Sequence, residues 1–266
     1  MAEWLEEIDL KLTGAPIAMG VRKLKDQPWL YIDEHRDFEL RLKAELTKAG
    51  NKEVFLARPD TKSAGDAVVA LIEGTGVELT GTGAHPLERS GLSVQEDLCL
   101  IKKADEGWRL EAASLCFPSR WRLEDKIGRN MAAVHGPVED YEEVLEKKVN
   151  AFFDRLGPDP VWRRNWFVHP DDSLYQPDRP VRGDPIIPSS DVREKLFVRS
   201  ERQTLRALDL PGWILFTIRV QQTPLKNLID TRSDEFTNWL KEAPESHHRQ
   251  KGLQAEQVSE ILSAVT

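Results

Sequence analysis

Two pairs of apolar runs, each joined by a short turn that contains glycine, constrain the fold of this chain more than any other feature. The paired runs are residues 97–102 with 108–116, and 196–205 with 213–220. Runs joined in this way are typical of β-hairpins, whose two strands are antiparallel. The chain shows no regular alternation of strand and helix that would indicate a parallel sheet. We therefore expect a mainly antiparallel sheet.

Helical spacing of apolar residues precedes, separates and follows the two predicted hairpins. The predicted helices span residues 33–49, 63–73 and 141–156, with a terminal helical region from 224. In the first of them, Phe38, Leu42 and Leu46 recur at every fourth position and form the expected buried side. In the second strand of the first predicted hairpin, Trp108, Leu110 and Ala112 are expected to share one face. The pattern predicts an α+β fold with helices against one face of the sheet.

The chain is expected to form one domain between two less regular ends. Residues 1–28 mix short apolar runs with glycines and a proline, which is typical of an irregular arm. Residues 29–243 contain all of the predicted hairpins and most of the helical spacing. Residues 244–266 are polar and are expected to form a C-terminal tail.

Composition excludes several classes of protein. The 266 residues are enough to bury a core without a disulfide or metal. The formal net charge of −8 disfavours nucleic acid and anionic membranes as partners. No apolar run approaches the roughly 18 residues that a membrane span requires, and the acidic N-terminus differs from a secretory leader. Two cysteines cannot form a disulfide framework, so a cytoplasmic protein with reduced thiols is expected.

Familiar catalytic motifs are absent from the sequence. It contains no phosphate-binding loop of the GxxxxGK[ST] type, no GxGxxG turn, no HExxH pair and no GxSxG elbow. Cys99 and Cys116 have no neighbouring histidine or lysine that would activate a thiol, and we expect both to be buried strand residues.

His135 differs from the other histidines because it lies among small and apolar residues just before a chain reversal. A single imidazole beside small residues suits the axial ligation of a haem iron, although an ordinary core histidine has the same signature. His85 and His169 lie in loops and are the competing ligands. His247-His248 is assigned to solvent.

Arginines cluster in two segments, residues 163–166 and 199–206. On a strand, Arg199, Glu201 and Gln203 share one face, whereas Arg202 lies on the other. A surface ladder of ion pairs explains such a pattern, and so does a clamp for carboxylates or phosphates. Spacing alone leaves both explanations open.

Several ordered segments together resemble one family, the haem-dependent oxidative N-demethylase alpha-subunit-like proteins. The matching segments are residues 96–100, 116–121, 126–129, 134–138, 163–166, 199–206 and 216–219. The resemblance implies a PAS-like fold that holds haem b. It also implies oxidation of a small secondary amine such as dimethylamine by O2 activated at the haem iron. Electrons would come from NADPH through a flavin and iron–sulfur reductase on a partner polypeptide.

The resemblance also gives roles to individual residues. His135 becomes the expected iron ligand, and Arg163, Arg202 or Arg206 would pair with the haem propionates. Trp166 would pack on the edge of the macrocycle.

Glu201 is the candidate that holds the protonated amine, and an ion pair with Arg199 or Arg202 is its alternative role. Two competing functions are a haem or ligand sensor on the same PAS-like scaffold and a non-catalytic binding protein.

Overall fold

A seven-stranded antiparallel sheet forms the centre of the computed structural model, which describes residues 2–11, 20–48, 51–135, 144–181 and 183–265. The strands are β1 (Arg22–Lys23), β2 (Phe55–Ala57), β3 (Asp97–Ala104), β4 (Gly107–Ser114), β5 (Val161–His169), β6 (Phe197–Ala207) and β7 (Trp213–Pro224). Their order across the sheet is β1-β5-β6-β7-β3-β4-β2, and every neighbouring pair is antiparallel. The α+β class and the antiparallel sheet are therefore confirmed.

Both predicted hairpins are present, as β3–β4 and β6–β7. Gly107 closes the first turn with a φ of +103°, a left-handed conformation that glycine adopts without strain. The sequence did not predict β5, which pairs with β6 along its whole length. Its apolar alternation is interrupted by Arg163, Arg164 and Asn165, whose polar side chains have hydrogen-bond partners in the folded chain.

A β-bulge in β4 corrects the expected facing of its side chains. Leu100 of β3 is opposite Ala112, whereas the next residue, Ile101, is opposite Leu110. The extra residue on β4 moves Ala112 to the face of the sheet opposite to Trp108 and Leu110. The expectation that all three share a face is wrong.

Helices cover both faces of the sheet, where the sequence predicts helices on one face only. They are α1 (Arg36–Thr47), α2 (Lys62–Glu73), α3 (Pro86–Gly91), α4 (Met131–His135), α5 (Val144–Phe153), α6 (Val192–Lys195), α7 (Leu225–Glu242), α8 (Glu245–Gln250) and α9 (Ala255–Val265). No described helix combines the length and the apolar character that crossing a bilayer requires.

We name the two faces of the sheet after the helices that cover them. On the α5 face, Ile218 and Val220 of β7 share a core with Val149 and Phe153 of α5. On the α7 face, Trp166 and Val198 share a core with the apolar side chains of α7 and α9, and α2 covers the β3–β4 end. Strands β6 and β7 are consequently buried on both sides.

Helix α1 buries only part of the side that its apolar spacing indicates. Phe38 is 56% exposed, whereas the charged residues Glu39 and Lys43 are buried. Leu42 and Leu46 are partly buried against the core of the α5 face. The helix therefore presents a partly polar side to the protein interior.

The C-terminal segment is helical and packed instead of forming a polar tail. Leu253, Val258 and Ile261 are buried against α7. His248 is buried as well, with its ring edge-to-face against Trp239 at 5.1 Å between centroids, so its assignment to solvent is wrong. Polar residues around them concealed this packing, although Val258, Ile261 and Leu262 fall at helical spacing.

Buried charges connect α1 to the sheet. Lys43 Nζ lies 3.1 Å from Asp97 Oδ1 and donates to the carbonyl of Glu96 at 2.6 Å. The Asp97 carboxylate also accepts hydrogen bonds from the amides of Cys116 and Phe117 at 2.9 and 2.7 Å. Because the pair has no access to solvent, each charge depends on the other for compensation.

A second cluster of charges, formed by one cation and two carboxylates, lies on β7, the strand next to β3. Arg219 of β7 contacts the carboxylates of Asp33 and Glu39 at 2.7 and 2.9 Å, and Gln95 donates to both. Burial alone would raise the pKa of Asp33, but Arg219 and Gln95 lower it below its ordinary value. Helix α1 is thereby fixed across the start of β3 and the middle of β7.

The substitution Asp97→Asn tests the role of the buried pair. It leaves the Lys43 ammonium buried without its counter-charge, so the free energy of unfolding should fall by about 3–5 kcal/mol. Urea denaturation measures the change. The matched control is Glu245→Gln, which removes an exposed ion pair with Arg249 and should cost less than about 1 kcal/mol. Equal losses in the two variants would contradict the role given to Asp97.

Candidate functional site

Three polar side chains form a continuous strip on the α5 face. Arg163 Nε donates to Gln203 Oε1 at 2.6 Å, and Gln203 Nε2 donates to Glu201 Oε2 at 2.7 Å. Gln203 and Glu201 are only 5% and 7% exposed. We call Arg163, Gln203 and Glu201 the polar strip. It places a guanidinium and a carboxylate on one buried surface, with an amide between them.

Apolar side chains of β3 and β7 lie beside the polar strip. Ile218 is opposite Gln203 in the sheet, and Val220 is opposite Glu201. Phe216 and Cys99 are paired with each other one step along the same face. We call Cys99, Phe216, Ile218 and Val220 the apolar floor. The α5 face thus changes from apolar to polar across the β7–β6 boundary.

Both cysteines are buried, as the sequence predicts, and their thiols are unreactive as nucleophiles because they stay protonated. Burial raises the pKa of the Cys99 thiol far above its ordinary value, and the nearby carboxylates of Asp97 and Glu201 raise it further. Burial raises the pKa of Cys116 to about 12. Both thiols are free. Neither provides a thiolate near neutral pH.

Glu201 forms no salt bridge within 4 Å among the described residues. Arg199, one alternative partner, donates instead to the carbonyls of Phe117 and Leu174 at 3.0 Å. Arg202, the other, donates to the carbonyl of Pro28 at 2.7 Å. The described part of the chain therefore leaves the Glu201 carboxylate without a directly bonded cation.

Arg199 holds two loops against the α5 face. Its guanidinium is completely buried and reaches residues 117–119 of one loop and 173–174 of the other. Burial lowers its pKa to about 10, although Glu201 and Asp97 oppose that change. Neutral carbonyls solvate this cation, so its role is to position loops rather than to bind an anion.

Trp166, Arg202 and Arg206 lie on the α7 face, opposite to the polar strip, because neighbouring residues of a strand point to opposite sides. Trp166 packs on α7 and donates from Nε1 to the carbonyl of Asp9 at 3.2 Å. The Arg202 guanidinium lies between the rings of Tyr31 and Trp162, at 5.2 and 5.4 Å from their centroids. Arg206 lies over the Trp29 ring at 6.0 Å. One planar group cannot contact both these residues and the polar strip.

The three candidate histidines have different environments. His85 uses both ring nitrogens, because Nδ1 accepts from the amide of Leu87 and Nε2 bonds the Thr61 hydroxyl, each at 3.2 Å. It serves as the N-cap of α3. His135 is the last residue of α4, and its side chain lies outside what the structure describes. Helix α4 contributes Met131 and Val134 to the core of the α5 face.

His169, at the end of β5, is a buried neutral imidazole. Gln176 Oε1 lies 2.6 Å from its Nδ1, and the Gln176 amide is oriented by its donation to the Ser173 carbonyl. Nδ1 therefore carries the proton, which leaves a lone pair on Nε2. Burial, together with Arg120 and Arg199, lowers the pKa of His169 to about 4.

A half-buried lysine borders the polar strip. Lys251 Nζ, from the segment between α8 and α9, lies 2.8 Å from Asn165 Oδ1. Asn165 is directly opposite Glu201 in the β5–β6 pairing. The sequence pattern places Gln203 on the same strand face as Glu201, which the structure confirms. It does not indicate Lys251 or Gln176, the partner of His169, because these residues come from segments predicted to be tail and loop.

Metal chemistry by a ligand cluster has no support among the described residues, which contain no group of three or more histidine, cysteine, aspartate or glutamate side chains suited to one ion. A cofactor that supplies its own metal and needs a single protein ligand remains compatible with this site.

The pKa of His169 predicts a pH-dependent stability. Since the native pKa is depressed below the ordinary 6.5, the unfolded state takes up a proton first, and stability is lost as the pH falls from about 6.5 toward 4. Between pH 7 and pH 5, the wild-type protein should lose about 2 kcal/mol more than His169→Gln. Urea denaturation at the two pH values measures this difference, and parallel losses would refute it.

Comparison of the chain with known proteins identifies a family. No curated protein matches the chain. The family model described as haem-dependent oxidative N-demethylase, alpha subunit-like, matches residues 61–259, about three quarters of the chain. The matched span contains β3 to β7, the polar strip, the apolar floor and Lys251. The chain therefore belongs to the haem-dependent oxidative N-demethylase alpha-subunit-like family.

Proposed function

We propose that this chain is the haem-binding subunit of an oxygenase that removes a methyl group from a small secondary amine such as dimethylamine. The co-substrate is O2, and NADPH supplies electrons through a flavin and iron–sulfur reductase on a partner chain. Family membership supports the reaction class. The observation that carries the proposal is the buried Glu201 carboxylate, which has no bonded cation among the described residues and lies beside an apolar floor.

The residues of the α5 face fit a haem in their chemistry. A haem b has a large apolar macrocycle and two carboxylates along one edge, so it requires an apolar surface with a cation at its border. The apolar floor, which shares a core with Val149 and Phe153 of α5 in this structure, supplies the apolar surface, and Arg163 stands at the polar border. A guanidinium suits a carboxylate because its N–H groups match the carboxylate geometry.

Two imidazoles belong to elements on this face, and we propose His135 as the iron ligand. Its helix α4 packs on the core of the α5 face. His169 is the alternative, because its proton is on Nδ1 and its Nε2 lone pair has no partner among the described residues. His85 is disfavoured because hydrogen bonds occupy both of its nitrogens.

We assign the propionate contact to Arg163. Arg202, Arg206 and Trp166 would need to reach through the sheet to touch a group on the α5 face. Their contacts instead attach the N-terminal segments and α7 to the sheet. In this proposal they stabilise the scaffold and do not bind the cofactor.

The chain's own residues bind and orient the amine. When bound, the haem supplies the metal at which O2 is reduced. A secondary amine is protonated near neutral pH, and its ammonium group suits the Glu201 carboxylate, whose orientation Gln203 fixes through the 2.7 Å hydrogen bond. Val220 and Ile218 exclude water from the methyl groups. An opposite charge in a dry site attracts more strongly than it would in water.

The remaining parts of the proposal concern fold and partners. A PAS-like label is supported by two hairpins in one antiparallel sheet, with α4 and α5 between them in sequence and packed on one face. The alpha-subunit-like family supports assembly with partner chains. Two free thiols are typical of a reducing compartment such as the cytoplasm.

Haem reconstitution tests the cofactor and its ligand. The wild-type protein should develop a Soret band on titration with haemin, because an imidazole ligates the iron. His135→Ala should bind haem at least about tenfold more weakly, since even outer partners of metal ligands contribute 10–100-fold. His85→Ala is the matched control and should bind as the wild type does.

Three outcomes of this titration are informative. Loss of the Soret band in His169→Ala, with His135→Ala unaffected, would transfer the ligand assignment to His169. No band in the wild-type protein would reject the haem proposal and favour a non-catalytic binding protein. A band without amine-dependent NADPH oxidation, in the presence of a competent reductase, would favour a sensor.

The substitution Glu201→Gln tests amine binding. Loss of the carboxylate removes a charge-assisted hydrogen bond, so the apparent KM for the amine should rise about 10–100-fold while the Soret band is retained. Glu256→Gln, at an exposed position of α9, is the control and should leave KM unchanged. A Glu201→Gln enzyme with wild-type KM would show that the amine binds elsewhere.

A further inference from the structure

Lys251 is held over the edge of β5 by its own backbone. The amide of Val168 donates to the Lys251 carbonyl at 2.8 Å, which extends the hydrogen bonding of the strand. Gly252 follows with a φ of +81°, and a side chain there would lie 2.7 Å from the Val168 carbonyl oxygen. Only glycine permits this close approach without strain. The position of Lys251 beside the sheet is therefore fixed by the backbone.

The Lys251 amine has an environment unlike that of a surface lysine. Nζ lies 5.1 Å from the centroid of the Trp166 ring and 5.8 Å from that of Phe167. Its hydrogen-bond acceptor is the neutral amide oxygen of Asn165, and no carboxylate lies within 4 Å among the described residues. The two rings attract an ammonium ion by cation–π contacts, but together with the neutral amide they replace much of the water that the ion prefers.

This environment favours the uncharged amine. Burial lowers the pKa of Lys251 to about 8, and Arg163 of β5 lowers it further, whereas Glu201 of β6 and Asp9 of the N-terminal segment oppose the change. At pH 8 about half of the Lys251 side chains are then neutral, against roughly 1 in 250 for a lysine with an ordinary pKa. A neutral lysine amine is a nucleophile toward carbonyl carbon.

We propose that Lys251 is a carbonyl-reactive amine that captures a small aldehyde at the border of the polar strip. The choice of formaldehyde rests on the proposed function, because oxidation of an N-methyl group releases that aldehyde. The amine nitrogen adds to the carbonyl carbon, and the oxygen leaves as water with both amine hydrogens. The product is an imine, formed without an oxidant or reductant. Hydrolysis returns the aldehyde and the free amine.

The location of Lys251 suits this role. Its amine is bonded to Asn165, and Asn165 is the direct cross-strand neighbour of Glu201, the residue proposed to hold the substrate. An aldehyde released at the polar strip is therefore one strand away from Asn165, to which the Lys251 amine is bonded. Lys251 is half-buried, which leaves access for a molecule of this size.

Reductive trapping tests the proposal directly. The 266-residue protein, without haem or amine, is treated at pH 8 with limiting formaldehyde and cyanoborohydride, which reduces an imine to a stable N-methyl group. Peptide mapping by mass spectrometry then compares Lys251 with the exposed Lys195 and Lys226. Lys251 should be methylated at least about tenfold faster, because far more of it is neutral. Equal rates at the three lysines would overturn the proposal.

Two variants separate reactivity from folding. Asn165→Asp keeps the amine but places a carboxylate beside it, which stabilises the ammonium form and should reduce labelling of Lys251 by about tenfold or more. Lys251→Arg should show no labelling at position 251 and serves as the reference spectrum. Unchanged labelling in a folded Asn165→Asp protein, checked by circular dichroism, would also overturn the proposal. The assay requires no haem, so its failure is distinguishable from failure of the proposed demethylase, which the Soret titration detects.

Discussion

Buried cations organise this fold, because each must find acceptors inside the protein and those acceptors come from distant segments. Lys43 and Arg219 pair with carboxylates and fix α1 across the start of β3 and the middle of β7. Arg199 donates hydrogen bonds to backbone carbonyls of two loops, and Arg202 donates to a backbone carbonyl of the N-terminal arm. An unpaired charge inside a protein is energetically costly. These segments therefore cannot move away from the sheet without exposing a cation to solvent or leaving it buried and unpaired. The sheet therefore determines where the loops around the candidate site lie.

Neighbouring residues of a strand point to opposite faces of the sheet, so the arginines of β5 and β6 have different roles on the two faces. On the α7 face, Arg164 and Arg202 bond Glu7 and the carbonyl of Pro28, so their donors serve the architecture. On the α5 face, Arg199 is solvated by carbonyls, and Arg163 stands at the border of the apolar floor. A cluster that looks uniform in sequence therefore contains several arginines that serve the architecture, and Arg163 is the one that we propose to contact an anionic ligand.

The sequence predicted the parts of the fold in which side-chain pattern and local structure agree. The hairpins β3–β4 and β6–β7, and helices such as α2 and α7, follow from apolar spacing and turn residues. It did not predict β5, whose polar side chains are buried through partners on other strands. It predicted only part of the buried side of α1: Leu42 and Leu46 contact the core, but Phe38 is exposed, and Glu39 and Lys43 are buried by pairing. Polar burial depends on contacts between distant residues, which local pattern does not contain.

The same limit applies to the site. Alternation along β6 correctly separates Glu201 and Gln203 from Arg202, but only the register with β5 and β7 shows that Glu201 has an amide on one side and an apolar side chain on the other. Lys251 enters from a segment that the sequence assigns to a tail. A carboxylate on β6 and an amine bonded to the neighbouring strand β5, each without a directly bonded opposite charge among the described residues, are unusual inside a protein. Both remain suited to chemistry because neighbouring amides, not counter-ions, hold them in place.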